Sequence, residues 1–202
     1  MVEQGICAVR RHGQSGRLTP ALRAERKGQS LVVWLTGRPG SGKSTIANIV
    51  QNELGATGRQ TMLLDGDNLR RGLNADLGSE PAAQSENVRR VGELAKLMVD
   101  AGLVVIVALG SPRQTDRTRA AALLPEGQFL EILVDASVET CQRRDQKSLG
   151  AKAERGVVID LTGRDQPYEP PEDPALVLRT EELTAEEAAR QVVELVLEFS
   201  RH

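Results

Sequence analysis

The chain has only two cysteines, Cys7 and Cys141, far apart and in no CxxC or Cys/His cluster. That spacing speaks against a disulfide framework and against a zinc site, and it fits a reduced cytoplasm. No apolar run is long enough to cross a bilayer, and residues 1–18 (MVEQGICAVRRHGQSGRL) hold no continuous apolar segment of the signal-peptide kind. A soluble, unexported, cytoplasmic protein is expected. An excess of charge of one sign is missing too, because 26 Lys and Arg stand against 28 Asp and Glu for a formal charge of -2. Neither nucleic acid nor an anionic membrane is therefore expected as a partner, and any anion site must be local. With 202 residues the chain suits one α/β domain and is short for two.

What is present is an alternation. Residues 1–30 are rich in Arg, Gly, Gln and Ser and read as an extension ahead of a domain covering 31–202. Short β-branched and Leu-rich runs follow at 31–36, 60–65, 103–109, 129–135 and 175–180, each with the look of a buried strand. Between them lie helical patterns: TIANIVQNEL, ENVRRVGELAKLMVDAG, TDRTRAAALLP and SVETCQRRD. A last one, TAEEAARQVVELVLEF, has Thr184 placed as N-cap and Glu187 in the capping-box position. Strands alternating with helices imply a parallel five-stranded sheet with helices on both faces, whose ligands sit at the carboxyl ends of the strands. Only about 146–174 lacks both patterns, and it reads as a mobile lid.

The strongest chemical signal is Gly37-Arg38-Pro39-Gly40-Ser41-Gly42-Lys43-Ser44-Thr45, which fits the phosphate-binding pattern GxxxxGK[ST] between a strand and a helix. Glycines let successive N–H groups point inward at an anion, and the helix N-terminus adds partial positive charge. Lys43 would reach the β- and γ-phosphates of ATP, and the Ser44 hydroxyl would ligate Mg²⁺. The plainer alternative is a glycine turn joining strand to helix.

Asp65-Gly66-Asp67-Asn68 ends the second run and faces the same crevice. Carboxylates there can orient or deprotonate an attacking hydroxyl, or hold Mg²⁺; a polar turn that caps the next helix is the alternative. The third run ends in Gly110-Ser111 and lacks the magnesium-holding Asp of many P-loop ATPases. This points away from motor and switch proteins and toward small-molecule kinases. Six cations, Arg143, Arg144, Lys147, Lys152, Arg155 and Arg164, lie on and after CQRRD. Most suit a solvated face, while one or two would clamp phosphates as the lid closes.

From Leu31 to Thr180 the chain resembles the adenylylsulfate kinases of sulfate assimilation, a P-loop family. WLTGRPGSGKSTIA, LLDGDNLRRGLNADLG, SENVRRVGELAKLMVDAGLVVIVA, SPRQTDR, CQRRDQKSLGAKA and LTGRDQPYEPPEDPALVLRT carry the resemblance in order. It implies transfer of the ATP γ-phosphate to the ribose 3′-hydroxyl of adenylylsulfate. By position, Gly37, Gly40, Ser41, Gly42, Lys43, Ser44, Thr45 and Arg144 would bind ATP, with Ser44 and Asp65 on Mg²⁺. Asp65 and Asp67 would flank the acceptor hydroxyl, and Arg70, Asn87, Arg90, Ser111 and Lys147 would line the acceptor side. A homodimer is implied as well.

The chain departs from the family pattern on the acceptor side. Ser79 and Leu161 stand where the family has the aromatics of a base clamp, Ala83-Gln84 replaces an Asp-Arg pair, and Arg113 stands in place of Tyr. Stacking on a base is worth about 1–3 kcal/mol, so these changes raise a second reading, a related kinase with another nucleotide-linked or sugar-linked acceptor. A third is a regulator that binds nucleotide without turning it over.

Overall fold

The structure is a computed structural model that describes residues 30–145 and 167–199. The expected extension up to residue 29, the lid from 146 to 166 with Lys147, and Leu161 lie outside the described residues.

Five strands form one sheet in the order β2-β3-β1-β4-β5, with β1 Val32–Thr36, β2 Thr61–Asp65, β3 Val104–Ala108, β4 Phe129–Asp135 and β5 Leu176–Arg179. Every pairing is parallel. All five coincide with the apolar runs of the sequence to within a residue at each end. The central strands β1 and β3 are buried throughout, which is why their sequences are apolar without alternation.

Alternate residues of these strands enter two cores. Val33, Leu35, Val104 and Ile106 face α1 (Lys43–Ala56) and α6 (Ala185–Phe199), whose Ile46, Val50, Leu54, Val192 and Val196 are buried against them. Val32, Trp34, Val105 and Val107 face α3 (Pro81–Asp100) and α4 (Gln114–Ala121) through Val88, Val91, Ala95 and Ala120. Helices thus cover both faces, as expected. No helix among the described residues is long and apolar enough to cross a membrane.

The helix ends follow local chemistry. At α6, Glu187 N donates to Thr184 Oγ1 and Thr184 N donates to Glu187 Oε2, the reciprocal capping box; such a cap is worth about 1 kcal/mol. Helix α3 begins at Pro81, earlier than the ENVRRV pattern suggests, because proline at the first turn loses no hydrogen bond there. A four-residue helix, α2 (Gly66–Leu69), follows β2, and α5 covers residues 138–145 after β4.

Candidate active site

The carboxyl ends of three strands lie in one row, since Asp65 pairs with Ala108 and Ala108 with Leu35. The phosphate loop therefore leaves β1 just beyond the row in which Asp65 stands, two strands away. Strand spacing puts these ends about 10 Å apart, room for a phosphoryl group between them.

The loop needs its glycines. Gly37, Gly40 and Gly42 have φ of 152, 81 and 108°, and a Cβ on Gly40 would sit 2.3 Å from the Cys141 carbonyl oxygen of α5. One on Gly37 would sit equally close to the Val134 carbonyl. The loop is thus pinned between β4 and α5. Lys43 Nζ donates to Gly37 O at 2.9 Å and Arg38 O at 2.8 Å, which fixes the ammonium at the rim. Burial pushes its pKa down to about 8, against the opposing pull of Cys141, Asp65, Asp67 and Asp145. A half-buried ammonium facing carboxylates across a crevice is a phosphate-binding arrangement.

Asp65 is buried and accepts from Asp67 N at 2.9 Å through Oδ1, so it caps α2 with one of its two oxygens. The capping turn and the chemical role weighed for this segment are compatible, because a carboxylate has two oxygens. Asp67 is exposed on the crevice side of the same turn. Ser44 is exposed at the start of α1. One hydroxyl and one carboxylate suit Mg²⁺, which takes few protein oxygens and completes its shell with water and phosphate.

Beside the loop is a pocket lined by Ser41, Thr45, Arg144, Thr180, Leu183 and Thr184. Arg144 donates to Thr180 Oγ1 and O at 2.8 and 2.7 Å, and Thr180 Oγ1 donates in turn to Ser41 O. Thr180 and Leu183 were not foreseen from sequence. The signal was available, for Thr180 follows directly on a strand at its carboxyl end, where α/β ligands gather.

The acceptor-side residues are more occupied. Arg90 bonds Asp76 through both terminal nitrogens and Glu86 through Nε, and hydrogen bonds from Arg89 first and Arg90 second hold Glu86 down to about 2. Asn87 accepts from Asn74 Nδ2 at 2.7 Å, and Arg70 donates to Gly78 O at 3.3 Å. Gln84 donates to the Ser79 carbonyl, so the two departures from the family pattern touch each other.

Ser111 is 2 % exposed. Its hydroxyl accepts from the Trp34 indole and donates to Thr36 Oγ1, both at 3.0 Å, at a backbone φ of 26°. The structure thus places it beneath the loop, away from the crevice surface. Tyr168 Oη lies 3.1 Å from the same Thr36 oxygen. Arg117, fully buried, donates to Ser111 O, Glu169 O, Gln114 and Glu131. This polar network joins the phosphate-loop strand to the chain returning at 168.

Residues 29–179 match the family model described as Adenylylsulphate kinase. The bifunctional enzyme NodQ of Azospirillum brasilense is 49% identical over 94% of this chain, which spans 31% of that protein. An adenylyl-sulfate kinase of Geotalea uraniireducens is 47% identical over 97% of this chain and 93% of its own length. The Mycobacterium tuberculosis APS kinase CysC, solved in complex with AMPPNP and APS, superposes with a TM-score of 0.73 at 40% identity, over 84% of this chain and 98% of that one.

Proposed function

The chain belongs to the adenylylsulphate kinase family, and on that premise we propose that it moves the γ-phosphate of ATP onto the 3′-hydroxyl of adenylylsulfate in sulfate assimilation. The observation that carries the reading is the Lys43 ammonium, held inside a glycine loop and facing Asp65 and Asp67 across the row of strand ends.

In this reading Lys43 meets the charge that builds on the transferring phosphoryl group, and loop N–H groups hold the donor phosphates. The pocket between Arg144 and Leu183 takes the donor's remaining bulk. Asp67 takes the proton of the acceptor hydroxyl, and Asp65, fixed by its bond from Asp67 N, keeps that turn in place. Mg²⁺, held by Ser44 and Asp65, would supply further neutralisation of phosphate charge. Arg70, Asn87 and Arg90 contribute to the acceptor side, while Ser111 supports the loop from below. Residues 31–202 form the kinase domain, the first 30 an extension, and a cytoplasmic homodimer completes the proposal.

ADP release from enzyme and Mg-ATP should rise strongly when adenylylsulfate is added. No rise would sink the reading and favour the alternative acceptor, which draws on Ser79 and Gln84 closing on each other where the family has a base clamp and a cation. Asp67→Asn should lower kcat far more than it weakens ATP binding; equal losses would assign the acid to nucleotide binding.

A further inference from the structure

Resting on that reading, we propose that Arg38 is a second cation of the phosphate loop, that it binds an oxyanion of the reaction, and that Tyr168 is the residue that positions it.

Arg38 directly follows Gly37, and its carbonyl accepts from both Lys43 Nζ and Ser41 N, so its backbone cannot drift from the rim. Its guanidinium carbon stands 5.5 Å from the centre of the Tyr168 ring, within cation–π range. Tyr168 is itself fixed, through Thr36 Oγ1 at the end of β1 and through its neighbour Glu169, whose N–H donates to Pro112 O and whose carbonyl accepts from Arg117. The ring is therefore a rigid seat for a side chain that otherwise carries many rotamers.

Among the described residues no carboxylate lies within ion-pair distance of Arg38, while Glu131 and Asp135 share its surroundings with the cations Arg117, Lys43 and Arg144. Arg117 stands 5.8 Å from the same ring centre, but it has Glu131 and three other acceptors of its own. Lys43 and Arg144 act on the Cys141 thiol together with Arg38, which puts three cations around one end of the loop. The Glu169 carboxylate, next to Tyr168 in the chain, already accepts from Gln114 N. A part-buried guanidinium seated beside other cations, with no ion pair to a carboxylate among the described residues, is arranged for an anion that arrives from outside. Packing on tyrosine alone would not require the mouth of an anion cradle.

The oxyanion has two sources, the transferring phosphoryl group of the donor and the phosphosulfate of the acceptor. Steady-state kinetics of the full chain with Mg-ATP and adenylylsulfate separate them. Arg38→Ala should lower kcat/KM by about tenfold to a hundredfold, the scale of one charge-assisted hydrogen bond, with the melting temperature unchanged. A loss in kcat would assign Arg38 to the phosphoryl group; a loss confined to the acceptor KM would assign it to the phosphosulfate. Added guanidinium ion should restore part of the activity beyond an equal concentration of sodium chloride, and Arg38→Lys should retain part of it. Tyr168→Leu should reproduce the loss in the same parameter, whereas Tyr168→Phe, which keeps the ring and its backbone seat at Glu169 but loses the bond to Thr36, should lose clearly less than Tyr168→Leu.

If the wild type turns adenylylsulfate over and Arg38→Ala does so within twofold, the inference falls and the function stands. If the wild type shows no adenylylsulfate-dependent turnover, the function falls, and calorimetry decides on Arg38. The variant should then bind Mg-ATP, or inorganic sulfate in the presence of Mg-ADP, at least about tenfold more weakly; unchanged affinity for both would overturn it.

Discussion

The two halves of the crevice are built differently. On the donor side the contacts run to backbone: glycines against carbonyls of β4 and α5, Lys43 against two loop carbonyls, Arg144 against the Thr180 carbonyl. On the acceptor side they run between side chains, a buried Asn74–Asn87 bond and partly exposed ion pairs such as Arg90 with Asp76 and Glu86. Exposed pairs are worth about 0–1 kcal/mol and rearrange at small cost. A rigid half thus faces an adaptable one. The sequence departures at Ser79 and Gln84 fall in the adaptable half, where a changed side chain need not disturb the sheet.

The strongest way to break this comparison is to remove the centre of the rigid half. Lys43→Met should lower turnover by about 10²–10³ or more, the scale for losing a preorganised transition-state contact. It should leave the melting temperature equal or higher, because burial opposes the Lys43 charge and methionine has none to bury. A large drop in melting temperature would mean that Lys43 holds the loop together, and that the donor half owes its rigidity to the ammonium as well as to the glycines.

Arg90→Ala probes the adaptable half. It should raise the acceptor KM about tenfold with kcat/KM for ATP unchanged, since one charge-assisted bond is lost on one side only. A loss of thermal stability with an unchanged KM would show instead that Arg90 only knits α3 to Leu73 and Asp76.

The same division explains what could be read from sequence. All five strands, the phosphate loop and the Thr184–Glu187 box rest on neighbours in the chain, or on burial deep enough to force apolar runs. The Trp34–Ser111–Thr36–Tyr168 network does not. Its partners are 75 to 132 residues apart, so no local pattern marks them. Ser111 falls on the acceptor side by resemblance because its position is legible in the sequence, while its burial is not. Arg117 read as one more polar residue of a helical stretch, yet it is fully buried among four acceptors. Likewise the ion pairs of Arg90 depend on the turn at 73–76 folding back, which spacing alone does not reveal.

The smallest predicted effect concerns the seam that keeps the donor pocket rigid. Glu181 accepts from Ser137 N, Ser137 Oγ and Thr140 Oγ1 at the start of α5, while Arg144 at the far end of that helix grips Thr180. Those bonds hold the Glu181 carboxyl below its ordinary 4.5. A carboxylate whose folded pKa is depressed stabilises the fold above its unfolded pKa and loses that contribution as the pH falls through the folded one. Glu181→Gln should therefore be less stable than wild type at pH 7, and the gap should close as the pH drops below about 4.5. Urea midpoints at neutral and acid pH measure it. A gap of constant size would show that Glu181 acts by its shape and not by its charge, and that the seam does not depend on the helix-end electrostatics inferred for it.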